Sequence, residues 1–499
     1  RDATLLHLHD GRSWTRRRNC WGQLSTGLTS LIAVTRITIR DTTDVTPTTT
    51  VIIRKRAVAA NPSVGTTRTA LGNLITQGLN YPLLFLFGVL SARLLSPHDR
   101  GVLTFVRLVD SVVITFAGFG MPLAIQYLVT ARKYATKAVG LTAMVVGVAI
   151  GTLTAGLIAI LWGTGNLGQT GNAIPQETMP WILLSLPVFG LALTQERVAT
   201  ANSMFRVLNG LELSRSAIVV LSFGGLWLFE RGTLLGAIGA TIAPIVGSAA
   251  FLFVVLRRQF SLEFRIDVRF LRDAIPYGLR AWWGNLASLA NARADQFILA
   301  MVLPSAALGV YGIAVTMAEI ALVPANAAAM VLFNKLATLP EGERESLFEQ
   351  ASRFLLFVTL LACVGLLLVS WPLIPLVFGR PYAGASYLLA LYVPGIVFFL
   401  PIRLMARYFG ASNRPTLSSI TQATTFALGL PLYYFAARYW GSAGAAIAST
   451  CVSLIAMLVS TGMYCKAARR KASVLFHIRA EDVRWGIVRF RAAFMRSNS

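Results

Sequence analysis

Five polar or small residues share one face of an otherwise apolar segment. Arg280, Gly284, Ser288, Asn291 and Asp295 are spaced four, four, three and four residues apart. Residues three and four apart lie on the same face of an α-helix, so this spacing predicts a stripe about 22 Å long at 1.5 Å per residue. Such a stripe cannot face lipid tails. We expect it to line a wet cavity, and interhelical hydrogen bonding is the alternative.

A weaker copy of this stripe lies nearer the start of the chain. Asn73, Gln77 and Asn80 are spaced four and three residues apart. At an offset of 208 residues Asn80 falls on Ser288, so the stripe belongs to an internal repeat. We expect both stripes to line the same cavity.

Charged residues in the apolar runs point to an anion site. Arg107 and Asp110 lie three residues apart, and they either line the cavity or neutralise each other near a helix end. Arg293 lies two residues from Asp295 and points elsewhere, toward a neighbouring helix. Arginine stays charged and presents a planar fork that suits phosphate oxygens. Arg107, Arg280 and Arg293 in one cavity would therefore bind an anionic headgroup.

One acid lies midway along another apolar run. Glu319 is followed by Pro324 and Asn326. An acid at that depth either pairs with an arginine, here Arg280 or Arg293, or it titrates. A titrating Glu319 would be a site for proton or sodium coupling.

The composition indicates a membrane protein. Of 499 residues 55% are hydrophobic and only 13% are charged, against about 25% charged in soluble domains. A spanning helix needs about 20 apolar residues, and twelve runs of that kind follow residue 70. The sequence predicts an all-α polytopic protein and excludes an ordinary soluble enzyme and a disordered chain. The runs are 71–95, 102–130, 138–162, 179–200, 209–229, 234–256, 275–303, 307–334, 352–378, 384–409, 416–438 and 442–465.

Short matches divide these runs into two similar halves. LLSL at 183–186 recurs as LLAL at 388–391, and GAIGATIA at 236–243 recurs as GSAGAAIA at 441–448, both at an offset of 205. Gly101-Val102 recurs as Gly309-Val310 at an offset of 208. Two six-helix repeats have the same orientation, as in transporters whose substrate site lies between the halves. We expect bundles at 69–256 and 275–465, joined by a cytoplasmic linker at 257–274.

The distribution of Lys and Arg predicts the topology. With the N-terminus inside, the cytoplasmic loops carry seventeen and the outer side five, which predicts both termini in the cytoplasm. Residues 1–68 form a basic tail, either unstructured or an overextended reading frame. Residues 466–499 form a second basic tail, whose stretch from Val483 to Met495 is an amphipathic helix on the membrane or a frayed end. Basic charge in this placement argues against nucleic acid.

No pattern in the sequence supports an enzyme. It contains no phosphate-binding glycine loop, no metal-ligand spacing and no nucleophile–base arrangement. The four cysteines suit neither a disulfide framework nor a metal site. We therefore expect no cofactor and no metal.

Three stretches resemble the polysaccharide flippases of the multidrug/oligosaccharidyl-lipid/polysaccharide exporter superfamily. They are ARLLSPHDRG at 92–101, RADQFILAMVLPSAALGVY at 293–311, and YFGASNRP at 408–415 running on to GSAGAA at 441–446. Of the family's motif positions, Asp295, Gly309 and Tyr311 carry over directly. The first half departs from the pattern, because Val102-Leu103 stands where an aromatic residue often follows the glycine.

This resemblance implies a function at the cytoplasmic membrane. It implies that an undecaprenyl-pyrophosphate-linked oligosaccharide moves between leaflets by alternating access, with its headgroup in a cationic cavity and its tail in the bilayer. Implied partners are this lipid, H⁺ or Na⁺, and the polysaccharide polymerase machinery. A cation-coupled drug antiporter of the same superfamily is the main alternative. A major-facilitator transporter and a membrane glycosyltransferase, ligase or polymerase are the others.

Overall fold

The computed structural model describes residues 64–110, 116, 118–229, 232–263, 265–323, 332, 336, 339–412, 414–477, 479, 481, 482 and 484. Side chains of 64–71, 73–75, 283–290, 292 and 415 are outside this description. The basic tail at 1–68 and the amphipathic stretch at 483–495 therefore lie almost entirely outside the described residues. Within the described part every regular element is helical, which confirms the all-α prediction.

Fourteen α-helices are present in the described ranges. Those before the linker are α1 (Val64–Leu94), α2 (Pro97–Leu108), α3 (Met121–Thr130), α4 (Thr136–Gly163), α5 (Gly168–Asn172), α6 (Met179–Ala201), α7 (Phe205–Leu228) and α8 (Leu234–Phe260). Those after it are α9 (Val268–Val302), α10 (Ser305–Ala321), α11 (Glu343–Val377), α12 (Gly384–Ala411), α13 (Pro415–Ala468) and α14 (Ser473–Phe476). We call α1–α8 the first half and α9–α13 the second half.

Seven of the described helices are long and apolar enough to cross a membrane, namely α4, α6, α7, α8, α11, α12 and α13. The other predicted runs correspond to α1, to α2 with α3, to α9 and to α10. The run at 102–130 is not one helix, because α2 ends at Leu108 and a turn at Gly118–Gly120 precedes α3. Gly441, with φ of 61° and ψ of −146°, breaks α13 where the sequence separates its last two runs.

The two halves meet closely where α2 and α10 begin. Ser96 caps α2 by accepting a hydrogen bond from the backbone N–H of Asp99 at 3.1 Å, and Pro97 occupies the first turn. A Cβ on Gly101 would lie 1.8 Å from the carbonyl oxygen of Ser305, and one on Gly309 would lie 2.2 Å from that of Pro97. Pro97 and Ser305 differ by 208, the offset that relates the two glycines. The repeat therefore produces a two-fold contact that only glycine permits.

Further hydrogen bonds join the halves around this contact. Arg93 donates to the carbonyl oxygens of Leu376 and Val377 at the end of α11. The Tyr382 hydroxyl donates to the carbonyl oxygen of Leu95 at 2.9 Å. Cations and donors at a helix C-terminus satisfy carbonyls that have no partner within the helix. We call this end of the bundle the closed end.

Helix α9 contacts both halves along its length. Its first turns pack on α3, where Tyr277 stacks on Tyr127 with ring centroids 4.3 Å apart. Lys133, in the loop after α3, binds Asp273 at 2.7 Å, and this hydrogen bond raises the pKa of Lys133. Further along, Asn291 donates to Gln422 of α13. One face of α9 therefore meets different partners at its two ends.

The segment after α14 is bound to α11 through an ion pair between Arg353 and Asp482. Arg353 donates from two nitrogens to the carboxylate of Asp482, at 2.7 and 2.8 Å, and both side chains are buried. This hydrogen bonding lowers the pKa of Asp482. Two parallel charge-assisted hydrogen bonds are among the stronger side-chain contacts.

Acidification is expected to release this segment. A carboxyl whose pKa is lowered by folding stabilises above its unfolded value of about 3.9 and loses that contribution as the pH falls through the folded pKa. Asp482→Asn should produce the same release at neutral pH. Limited proteolysis of the C-terminal segment measures it, and equal cleavage rates for wild type and variant at neutral pH would contradict the expectation.

Candidate functional site

A cavity of about 510 Å³ with a mixed polar and apolar lining lies between the two halves. We call it the central cavity. Its walls come from α1 and α2 of the first half and from the end of α9 and α10 of the second. Apolar side chains such as Leu84, Phe87 and Val315 form part of the wall. The polar and charged residues that line it are Ser91, Arg100, Thr104, Arg107, Arg293, Gln296, Thr316 and Glu319.

Arg107 extends from α2 into this cavity. Its guanidinium lies over the ring of Phe87, 4.6 Å from the centroid. A cation above an aromatic face is stabilised by the ring quadrupole, so α1 holds the arginine in place. Its charge interacts with those of Arg293 and Glu319 across the cavity. The structure thus brings together two of the three arginines that the sequence proposed for an anion site.

Arg293 faces the cavity from α9 and forms an ion pair with Glu319 of α10. The distance between Nη1 and Oε1 is 3.3 Å, and the side chains are 35% and 50% exposed. Glu319 is thus paired with Arg293 rather than Arg280. Both groups remain partly accessible from the cavity, so an incoming anion could take over the contact with Arg293.

Arg100 also lines the central cavity, although the distribution of Lys and Arg predicts it only as one of the five basic residues on the outer side. It is 6% exposed, and its Nη1 donates to the carbonyl oxygen of Gly309 at 2.7 Å. Its guanidinium also lies 5.5 Å from the ring centroid of Tyr382. The feature of the sequence that could have identified Arg100 is its position next to Gly101, one of the two glycines related by the repeat. The second copy has Leu308 there, so only the first half supplies this charge.

The polar stripe of α9 does not line the central cavity as a whole. Asp295 is 4% exposed and accepts a hydrogen bond from Tyr311 at 2.8 Å. Asn291 donates to the carbonyl and side-chain oxygens of Gln422 at 2.7 and 2.8 Å. These two residues form the interhelical hydrogen bonds that were the alternative interpretation. Neither residue is among those that line the central cavity.

Arg280 and Ser288 complete the predicted stripe. Arg280 is exposed, and its Nε donates to the carbonyl oxygen of Pro276 one turn earlier at 3.1 Å. It is not among the residues that line the central cavity. The side chain of Ser288 lies outside the described residues. The arginines that line the central cavity are therefore Arg100, Arg107 and Arg293, with Arg100 in place of Arg280.

The weaker stripe on α1 contacts α7. The amide nitrogen of Asn80 donates to Glu212 at 3.0 Å, and its oxygen accepts from Ser216 at 2.5 Å. Gln77 is exposed, and the side chain of Asn73 is outside the described part. Asp110 lines a different pocket, inside the first half. No three His, Cys, Asp or Glu side chains of the described residues gather as metal ligands.

The fold is similar to that of several solved transporters. The lipid II flippase MurJ in an inward-closed conformation superposes with a TM-score of 0.65 at 13% identity, covering 84% of this chain and 89% of that one. An inward-facing multidrug resistance MATE family transporter of the MOP superfamily gives 0.62 at 15% identity, covering 79% and 95%. A variant of the Vibrio cholerae MATE transporter VcmN gives 0.53 at 18% identity, covering 82% and 98%. Identities this low establish the fold alone.

A family comparison covers most of the region that forms the site. Residues 90–387, more than half of the chain, match the family described as polysaccharide biosynthesis protein. Comparison with curated protein sequences gives no match. The resemblance found in the three sequence stretches is confirmed at the level of the family. The chain belongs to the polysaccharide biosynthesis protein family, as a multi-pass membrane protein.

Proposed function

We propose that this protein is a flippase that moves an undecaprenyl-pyrophosphate-linked oligosaccharide across the cytoplasmic membrane for cell-surface polysaccharide biosynthesis. The diphosphate of the headgroup binds in the central cavity, the glycan extends into the space between the halves, and the lipid tail stays in the bilayer. Transport proceeds by alternating access, with the two halves separating at the closed end to release the headgroup. Both termini lie in the cytoplasm, and the closed end faces outward.

The charge of the central cavity is the observation that carries this proposal. Its lining includes the three arginines Arg100, Arg107 and Arg293 and the single acid Glu319. The formal net charge of the lining is therefore +2. A diphosphate esterified at both ends carries two negative charges at neutral pH. Guanidinium groups bind phosphate oxygens through paired N–H donors. The charge and donor types of the cavity therefore match the headgroup that every lipid-linked oligosaccharide of this kind shares.

The drug antiporter is the competing function, because several neighbours in fold are multidrug transporters. A cavity for cationic drugs would be expected to carry an excess of acids, since opposite charge stabilises a desolvated cation. The lining of the central cavity has the reverse balance. The charge therefore favours an anionic cargo over a cationic one.

Deletion of the encoding gene tests the proposed function. Lipid-linked glycans are extracted and surface polysaccharide is assayed. Intact lipid-linked oligosaccharide should accumulate on the inner leaflet while surface polymer is lost, and its mass identifies the cargo. Unchanged surface glycan with increased sensitivity to cationic drugs would favour the antiporter. Loss of polymer with single repeat units already on the outer leaflet would favour an enzyme.

A further inference from the structure

A second pocket, of about 320 Å³, lies within the first half and shares Arg107 with the central cavity. We call it the first-half pocket. It is enclosed by residues of α1, α2, α6, α7 and α8, and most of its lining is apolar. The polar and charged residues that line it are Arg107, Asp110, Arg215, Ser216 and Thr241. Arg107 therefore forms part of two compartments, one of which carries the proposed anion site.

Asp110 is the acid of the first-half pocket. Its Oδ1 is enclosed and accepts no hydrogen bond from the described residues. A carboxylate oxygen buried without a partner is costly in a protein interior and more so at membrane depth. A counter-charge in contact with the oxygen, a hydrogen-bond donor or a proton on the oxygen itself would each offset this cost.

Neither neighbouring cation is in contact with Asp110. Arg107 interacts with it electrostatically, yet its guanidinium lies over Phe87, and the described ion pairs include none between them. Arg215 of α7 is engaged elsewhere through two of its three guanidinium nitrogens, and its Nη2 is buried without a hydrogen-bond partner among the described residues. Its Nη1 pairs with Glu196 of α6, and its Nε donates to Ser248 of α8 at 2.7 Å.

The other groups that face Asp110 cannot replace a proton. Ser216 of α7 donates its hydroxyl to Asn80, and Thr241 of α8 donates to the carbonyl oxygen of Ile238. The α6 residue in the lining is Phe189, and α1 contributes apolar side chains. The charged groups near Asp110 in the described structure are therefore Arg107, Arg215 and, through Arg215, Glu196.

We propose that Asp110 is a proton-binding site linked to the anion site through Arg107. When Asp110 is ionised it attracts Arg107 toward the first-half pocket and offsets the charge that Arg107 presents to the central cavity. A proton on Oδ1 removes this attraction, so Arg107 presents its full charge to a bound diphosphate. This inference rests on the proposed function, because it assumes that Arg107 binds an anion.

The linkage has a defined sign. If a proton on Asp110 favours the anion at Arg107, the anion must favour that proton equally, since coupling between two binding equilibria is reciprocal. Anion binding should therefore tighten as the pH falls and should take up protons. One linked proton changes the dissociation constant by up to about tenfold per pH unit.

Calorimetry on the purified full-length protein in detergent tests the proposal. The probe is P1,P2-dimethyl diphosphate, whose two charges do not titrate near neutral pH, so that any proton exchange comes from the protein. Binding is measured across the acidic to neutral range in buffers of different ionisation enthalpy, which counts the protons taken up. Wild type should take up close to one proton where the affinity depends on pH. Asp110→Asn, which keeps the size of the side chain, should bind the probe with a pH-independent affinity.

Two further variants test whether the linked proton binds to Asp110 or to another acid. Glu319→Gln removes the acid of the central cavity, and under the proposal it keeps the pH dependence that Asp110→Asn loses. Glu263→Gln removes an exposed acid that pairs with Lys137, and it should behave as wild type. Loss of proton uptake in Glu319→Gln, with retention in Asp110→Asn, would assign the proton to Glu319 and overturn the proposal.

The same data distinguish failure of the inference from failure of the proposed function. Wild-type binding with no pH dependence would overturn the role of Asp110 while leaving the anion site intact. No binding of the probe by wild type at any pH would overturn the anion site, and the proton site with it. Should Asp110→Asn not fold, proton counting on wild type and Glu319→Gln still decides between these outcomes.

Discussion

Arg293→Ala is expected to abolish transport while the protein still inserts in the membrane. The substitution removes a guanidinium from the central cavity and leaves Glu319 there without its partner, so the local charge becomes less favourable to an anion on both counts. A hydrogen bond to a charged group contributes about 1.5–3 kcal/mol, which corresponds to roughly a 10- to 150-fold loss of affinity. Arg107→Ala should act in the same direction, and the double variant should lose more than either.

The gene-deletion strain, complemented with each variant, measures this loss through accumulated lipid-linked oligosaccharide at matched protein levels. Arg438→Ala is the control, because it removes one exposed arginine that is not part of the cavity. Arg280→Ala separates the two interpretations of the α9 stripe, since the structure predicts a smaller loss than for Arg293→Ala. Wild-type turnover in Arg107→Ala and Arg293→Ala would remove the anion-site hypothesis.

Gly101→Ala and Gly309→Ala are each expected to weaken the closed end severely. The added Cβ atoms would lie 1.8 and 2.2 Å from backbone oxygens of the other half, and backbone cannot move aside as a flexible side chain can. To relieve the clash, α2 and α10 must either move apart or slide along each other. Overpacking of this kind costs about 1–3 kcal/mol, occasionally more. Separation would also lengthen the contact between Arg100 and Gly309, which stabilises the same interface.

Thermal unfolding in detergent and transport in the complemented strain measure the two consequences. Gly156→Ala is the matched control, because Gly156 lies in the exposed part of α4 and its Cβ would meet nothing within 4 Å. In a helix interior alanine is favoured over glycine, so this control should be neutral or slightly stabilising. If the Gly101 and Gly309 variants unfolded at the wild-type temperature and transported normally, the close contact would not be needed for the closed end.

Helix positions and faces were predictable from the sequence because they depend on local periodicity. The spacing of Asn291 and Asp295 correctly indicates that they share a helical face. It carries no information about which neighbour that face meets. Since α9 packs on α3 at one end and on α13 and α10 further along, the single predicted stripe contacts several different partners. Hydrogen bonding between helices and cavity lining therefore occur on the same helix.

The residues of the candidate site were predictable only in part, for a related reason. Arg107 and Arg293 were singled out because a charge inside an apolar run is costly unless it has a role. Arg100 escaped that argument because it follows a turn motif and resembles a loop charge. Its burial results from the contact between α2 and α10, which is a property of the packed halves. Arg107 and Asp110 both line the first-half pocket, but Arg107 also lines the central cavity and Asp110 does not.

The contact between α2 and α10 also bears on how such a chain could have arisen. In a dimer of identical subunits related by a two-fold axis, residue i of one subunit touches residue j of the other, and j touches i. Gly101 against Ser305 and Gly309 against Pro97 follow this rule at the repeat offset. The joint between the halves is therefore isologous, with the geometry of a homodimer contained in one polypeptide. After fusion the two copies could diverge. Arg100 and Leu308 are equivalent positions of the repeat, and only the first copy carries a charge there.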